Sequence, residues 1–278
     1  MPKAKVNDIQ MYYEVKGEGH PVIMICGMNQ NMEMWDPRLV EGLLKHFKLV
    51  LFDNRGAGRT DTSDKEYTIS CLADDAAGLM NAIGISKAHI LGLSMGGIIA
   101  QELAINHPEK VSKLVLCSTI SQWRPTHEDF RMMEALISQS SMEELTKMIL
   151  SFPFTRDYPR DFLKENPFCT GFTSEFVKEN PKLAKSLLQL GTQYPISPES
   201  WRYRYSAILG FNTQTRLQQI KAPTLVMHGR KDTTVPPENG SILAEAIPNA
   251  KLVYLEKSAH LLAEEMSEVI KIVTEFLL

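Results

Sequence analysis

The sequence predicts an α/β fold built on a doubly wound, mostly parallel sheet, and three observations carry that prediction. Six short, almost uninterrupted apolar runs recur along the chain: "PVIMICG", "FKLVLFD", "AHILGLS", "KLVLCST", "PTLVMHG" and "KLVYLE". Runs of this form are parallel strands buried on both faces. Helical patterns separate most of them, and strands alternating with helices at this interval imply right-handed crossovers. Between the fourth and fifth runs, from Ser121 to about Gln219, the strand signal stops and then resumes, so this segment interrupts one sheet rather than following it.

The elements follow in order. The opening "MPKAKVNDIQMYYEVKG" alternates and turns at Asn7 and Asp8, which predicts an antiparallel hairpin near a sheet edge. "PVIMICG" is followed by a helical pattern over Trp35 to His46, "FKLVLFD" by one over Thr68 to Ile83, and "AHILGLS" by one over Met95 to Asn106. After "KLVLCST" the chain carries aromatic, Met and Lys/Arg residues at helical spacing, broken at Pro153, Pro159, Pro167, Pro181, Pro195 and Pro198. "PTLVMHG" leads to a helix near Pro237 to Ala246, and "KLVYLE" to a final amphipathic helix over Leu261 to Leu278. The expected organisation is a core of residues 1–120 and 220–278 with a helical cap inserted at 121–219.

Composition narrows the partners. The chain has 278 residues, 44% of them hydrophobic, enough for a large core. Its 30 Lys and Arg against 33 Asp and Glu give a net charge of −3, so no positive field exists to attract nucleic acid or an anionic membrane. No apolar stretch approaches the roughly 20 residues that cross a bilayer, and the amino-terminal stretch lacks a signal-peptide core. A cytoplasmic protein, monomeric or homodimeric, is expected, with a small molecule as its partner. Cys26, Cys71, Cys117 and Cys169 are widely spaced and no disulfide is expected. The histidines form no local chelating pair, so a metal site is not expected short of long-range convergence.

The chemistry centres on "ILGLSMGGIIA". Gly92, Ser94 and Gly96 stand at a strand-to-helix junction, where small neighbours permit the sharp turn that lifts a serine above a sheet. Ser94 is either a plain helix cap or a nucleophile. A serine hydroxyl is a poor nucleophile near neutral pH, so the second reading demands a base and a group to orient it. Asp232 in "HGRKDTTVP" and His260 in "EKSAHLLAEE" supply both, each just after a strand, at the sheet edge where such folds gather their sites. A histidine base acts only when neutral, so hydrolysis is expected to rise with pH between about 6 and 7. His228 is expected to be packed rather than catalytic, and Glu264 and Glu265 to face solvent from the helix after His260.

Acyl transfer also needs two donors for its oxyanion. The backbone N–H of Met95 is one, and that of Met28, in the loop after "PVIMICG", is the expected second. Trp123 and Trp201, at either end of the insertion, are expected to give a substrate cleft apolar walls. Arg124, Arg202 and Arg204 are candidates to meet a substrate carboxylate, although charges on a helix ordinarily form its solvated face. In "DNRGAGRT" the third glycine of a dinucleotide fingerprint is replaced by Asp61, and no phosphate loop of the G-x-x-x-x-G-K-[ST] form occurs. Asp53 and Arg55 there are expected to form a loop-stabilising pair.

Taken in order, "CGMNQNMEMW", "DNRGAGRT", "GLSMGG", "HGRKD" and "SAH" span nearly all of the chain outside the insertion and resemble the α/β-hydrolase superfamily. The resemblance implies a mostly parallel eight-stranded sheet, a helical cap, and a triad of Ser94, Asp232 and His260 that works without a cofactor. "MWDPRLVEGLLKHFKLVLFDNRGAGRTD" and "GLSMGGIIAQELA" are most similar to the branch of 3-oxoadipate enol-lactonases and general carboxylesterases. Cys26-Gly27 stands where many relatives carry His-Gly, and serine stands where haloalkane dehalogenases and epoxide hydrolases carry aspartate. The expected function is a serine hydrolase of small esters or lactones. The alternative is a slow-turnover ligand receptor, since the superfamily also resembles hormone receptors and stress regulators that keep an intact triad.

Overall fold

A computed structural model describes residues 3–63, 67–123, 157–166 and 170–278. Its centre is one eight-stranded sheet: β1 (Lys3–Val6), β2 (Ile9–Lys16), β3 (His20–Ile25), β4 (Phe47–Phe52), β5 (Ala88–Leu93), β6 (Val111–Cys117), β7 (Thr224–Gly229) and β8 (Lys251–Leu255). Strand order is β1-β2-β4-β3-β5-β6-β7-β8. The first two strands form the edge hairpin, turning at Asn7 with φ 50°, and β2 runs antiparallel to β4. All remaining neighbours are parallel.

Parallel neighbours require crossovers, and the helices supply them on both faces. Helix α1 (Pro37–Leu43) starts on an Asp36 cap, α2 (Ile69–Ala82) on Thr68, whose hydroxyl accepts from Cys71 N, and α3 (Met95–Asn106) follows β5 directly. One core cluster packs α2 and α3 against the sheet through Leu72, Leu79, Ile99 and Leu103; the other, through Leu39, Leu43, Val269 and Val273, covers the opposite face. The central strands are buried on both sides because helices cover both faces, which is why their sequences are continuous apolar runs rather than alternating ones.

Between β6 and β7 the described residues form helices and no strand: α4 (Arg160–Glu165), α5 (Ser174–Glu179), α6 (Pro181–Gln189) and α7 (Pro198–Leu209). A small apolar cluster of Tyr158, Phe172, Phe176, Val177 and Ala184 reaches the main body at Ala263. Helix α8 (Glu238–Ala246) links β7 to β8. The last helix, α9, spans Met266–Leu277, five residues later than its periodicity predicts. Leu262 adopts a left-handed φ of 57°, and a 3-10 turn at Ala263–Glu265 intervenes, so the chain after His260 turns before it winds into α9. No helix among the described residues is long and apolar enough to cross a membrane.

The "DNRGAGRT" loop pairs differently from the expectation. Arg55 bonds Asp75 Oδ2 over 2.7 Å and Asp8 Oδ1 over 2.6 Å. Asp53 instead accepts from Met32 N over 2.8 Å and from Arg59 N over 2.9 Å. Folding carries Asp75 and Asp8 to Arg55 from distant positions, which adjacency in the loop does not reveal. Burial works against the Arg55 charge, but these two carboxylates outweigh it and raise its pKa.

Candidate active site

The junction of β5 and α3 explains the glycines. A Cβ on Gly96 would land on the carbonyl oxygen of Ile25, and one on Gly92 on the carbonyl oxygen of Gly96, so neither position admits a side chain. Gly97 fits against Thr119, 2.6 Å from where its Cβ would stand. This crowding holds Ser94 at φ 56° and ψ −121°, a conformation that costs a non-glycine residue of order 1–3 kcal/mol. Its own backbone groups are both bonded: Ser94 N donates to Cys117 O over 2.9 Å, and Ser94 O accepts from Thr119 Oγ1 over 2.7 Å and from Gly97 N over 2.9 Å. Its side chain makes no capping hydrogen bond. The plain-cap reading therefore fails, and the hydroxyl stands half-buried on a strained, rigidly held turn.

Asp232 follows β7 and His260 follows β8, both at the carboxyl edge of the sheet. His260 Nδ1 and Asp232 Oδ2 are 2.8 Å apart, with both residues buried. The other carboxylate oxygen, Oδ1, accepts from Thr234 N over 2.9 Å and Val235 N over 2.8 Å. His228, expected to be merely packed, brings Nε2 to 3.3 Å from Asp232 Oδ2. Burial alone would push the Asp232 carboxyl up. The His260 charge, side-chain bonds from His228 and His260 and the Val235 amide outweigh it and hold the carboxyl well below the usual range. An ionised Asp232 favours the His260 tautomer with its proton on Nδ1, which leaves the lone pair on Nε2.

Met95 is the first residue of α3, where an amide has no intrahelical partner. The Met28 amide sits in the loop after β3, and no described residue accepts a hydrogen bond from either N–H. The loop lies against Ser94: a Cβ on Gly27 would stand 3.4 Å from Ser94 Cβ. Trp123 is half-buried against the larger core cluster, and its indole nitrogen has no partner among the described residues. Trp201 stacks on Tyr205 at 5.4 Å between ring centroids and donates from Nε1 to Asn29 Oδ1. The structure thus places both tryptophans beside the Met28 loop or the core, and neither lines the apolar cleft described next.

That cleft is lined among others by Leu93, Cys117, Phe172, Leu187, Leu188 and Leu261. Leu93 precedes Ser94 and Leu261 follows His260 in the chain, although neither Ser94 nor His260 is among the residues that line the cleft. Burial pushes the Cys117 thiol up to about 12, and it is neutral lining there. Cys26, Cys71 and Cys117 are free, and Cys169 lies outside the described residues.

Two side chains depart from their expected surroundings because folding brings distant segments to them. Glu264 turns back to accept from Thr173 N over 2.6 Å and Ala259 N over 3.3 Å, and Glu265 accepts from Lys257 N and Ser258 Oγ, each over 2.8 Å. Both brace the His260 loop instead of facing solvent; burial pushes the Glu264 carboxyl up despite those bonds. Of the helix arginines, Arg202 is exposed, Arg204 is fully buried and Arg124 lies outside the described residues. Only the i, i+4 spacing of His228 and Asp232 offered a sequence signal for any of these contacts.

Comparison with known proteins agrees with this architecture. A family model described as the α/β hydrolase fold matches residues 20–266. A protein of Azorhizobium caulinodans named "Putative carbamate hydrolase RutD" is 28% identical over 260 residues, covering 94% of this chain and 91% of its own. The enol-lactonase of Burkholderia xenovorans LB400 superposes with a TM-score of 0.83 at 26% identity, covering 99% of both chains. A thermophilic esterase of Thermogutta terrifontis superposes with a TM-score of 0.81 at 24% identity, covering 99% of this chain and 97% of its own, a likeness of fold.

Proposed function

The chain belongs to the α/β-hydrolase fold family, and from that premise we propose that it is a serine hydrolase cleaving carboxylic ester or lactone bonds of small substrates through an acyl-enzyme on Ser94. The observation that carries this reading is the uncapped Ser94 hydroxyl on its strained turn, at the same sheet edge as the bonded Asp232–His260 pair. His260 Nε2 takes the hydroxyl proton as Ser94 Oγ attacks the carbonyl carbon, and the imidazolium is balanced by Asp232. The oxyanion is held by the N–H groups of Met28 and Met95. His260 then protonates the leaving alcohol, the acyl-enzyme forms, and water deprotonated by His260 releases the acid. In a lactone the leaving alcohol stays tethered, so one product emerges.

The segment 121–219 serves as a cap, and the cleft lined by Leu93, Phe172, Leu187, Leu188 and Leu261 takes the apolar part of the substrate. That lining favours short to medium acyl esters, and the likeness to an enol-lactonase supports a lactone as the next choice. A carbamate is a second reading, supported by the name of the A. caulinodans relative; its carbonyl is open to the same attack.

A kinetic panel of p-nitrophenyl esters, lactones and aryl carbamates on the wild type and Ser94→Ala tests the reading. Fast, Ser94-dependent turnover of a short ester is the expected result. A preference for the carbamate shifts the substrate assignment. Tight binding with fewer than about one turnover per minute across the panel replaces the enzyme with a receptor.

A further inference from the structure

Arg204 is one of the largest fully buried side chains in the protein, with a relative exposure of 0%. It projects from α7 and donates from Nη2 to the carbonyl oxygen of Gly27 over 2.8 Å. Among the described residues its Nε and Nη1 have no partner, and no carboxylate forms an ion pair with it. Burial pulls the guanidinium down to about 10, against the opposing charge of Asp53, so it is still a cation at neutral pH. A buried cation with so few bonds is costly, and an apolar side chain of equal size would avoid that cost. Its retention is explained if the charge has work to do beyond packing.

The carbonyl it grips locates that work. Gly27 C=O and Met28 N–H belong to one peptide unit. The chain has no cis bond among the described residues, so the two groups point in opposite directions. A cation on the oxygen therefore lies directly behind the N–H. It draws electron density through the amide and makes the N–H a stronger donor, the cooperative effect expected of linked hydrogen bonds in a dry interior. The same carbonyl also accepts from Gln30 N over 3.4 Å, and the preceding peptide is held by Gln30 too, where Gly27 N donates to Gln30 Oε1 over 2.8 Å. The surrounding loop is fastened to the same part of the chain as Arg204: Trp201 Nε1 donates to Asn29 Oδ1, and Asn31 Nδ2 donates to Gly191 O over 2.8 Å and Tyr194 O over 2.9 Å.

We propose that Arg204 is a positioning residue for the oxyanion hole, orienting and polarising the Gly27–Met28 peptide so that the Met28 N–H stabilises the negative charge that develops on the substrate oxygen. The inference rests on the reading of Ser94 as nucleophile and Met28 as donor. Arg204 itself does not touch substrate. It acts on the transition state more than on the bound ester, because a polarised N–H gains most against a full negative charge. It also makes the oxyanion hole depend on the seating of α7, so that displacing that helix loosens the Met28 donor.

The test compares wild type, Arg204→Met, Arg204→Gln and Ser94→Ala in two measurements. One is the kcat and KM for p-nitrophenyl acetate. The other is the Kd of an aryl trifluoromethyl ketone, which adds to the serine and places an oxyanion in the hole. Arg204→Met is expected to lower kcat by between tenfold and a hundredfold, less than the 10²- to 10³-fold cost of deleting a donor outright, with KM within about twofold. Ketone affinity should fall by the same factor as kcat/KM. Arg204→Gln keeps a neutral donor for the Gly27 carbonyl and is expected to lose about three- to tenfold; it carries the test if the Met variant does not fold. A folded variant with wild-type kcat and ketone affinity overturns the proposal, as does one whose loss lies entirely in KM. If Ser94→Ala still turns over the ester and binds the ketone as the wild type does, the nucleophile assignment itself is wrong. An inert Ser94→Ala beside an unperturbed Arg204 variant removes only the role of Arg204.

Discussion

His228 Nε2 lies 3.3 Å from the same Asp232 oxygen, Oδ2, that meets His260 Nδ1 at 2.8 Å. One carboxylate oxygen thus stands between two imidazoles, and His228 also approaches Val235 O over 3.0 Å. The arrangement gives Asp232 a second imidazole neighbour besides His260, so the carboxylate is held from more than one ring.

Asp232→Asn should keep the fold yet slow turnover by about 10⁴-fold, because an amide no longer favours the His260 tautomer with a free Nε2. His228→Phe should cost less, through a mispositioned Asp232. Steady-state rates of the two variants on one ester decide the ordering, and an equal or larger loss for His228→Phe would contradict it.

Ser94 should be the one residue modified by a fluorophosphonate, and Ser94→Ala should lose roughly 10⁶-fold in turnover, as when a nucleophile that acts as part of a unit is removed. Intact-mass measurement on both proteins reads the result; a phosphonylated alanine variant would sink the assignment.

Two glycines should respond oppositely to alanine. Gly96→Ala drives a methyl into the Ile25 carbonyl, and overpacking of this kind costs about 1–3 kcal/mol or more, with loss of activity as the turn at Ser94 shifts. Gly210 has φ −85° and nothing within 4 Å of its Cβ position, so Gly210→Ala should gain about 0.4–1 kcal/mol by stiffening the unfolded chain. Urea unfolding of both variants provides the comparison.

Burial, then the charges of His20 and Lys113, lowers the His89 pKa to about 4 in the folded protein, despite a bond to the Leu277 backbone. The unfolded chain takes up this proton near 6.5, so the neutral ring contributes stability that is fully present above 6.5 and is lost as pH falls toward 4. His89→Gln should flatten that part of the stability–pH curve. An unchanged slope between pH 6.5 and 4 would assign the acid loss to other groups.

Asp75 is 1% exposed and pairs with Arg55, which is 2% exposed. Asp75→Ala leaves a buried guanidinium with only the half-exposed Asp8 for a partner, and breaking such a pair costs about 3–5 kcal/mol. Denaturant midpoints measured at constant m-value check it. Activity per folded molecule should be unaffected, since neither residue reaches the site.

The sequence by itself determined the sheet and singled out Ser94 as the candidate serine. Both are written locally: six apolar runs reflect strands covered on two faces, and Gly92 and Gly96 flank a turn too crowded for any Cβ. The order of Ser94, Asp232 and His260 was legible because each follows directly on a strand whose signal is strong. What only the tertiary structure decided are contacts between segments far apart in the chain. Arg204 reads as one more charge on a helix until folding carries it 177 positions back to the Gly27 carbonyl. Glu264 reads as solvated until Thr173 N and Ala259 N meet its carboxylate. Hydrophobic periodicity records which face of an element is buried, whereas the partner of a buried polar group is set by whichever distant backbone atom packing brings within about 3 Å.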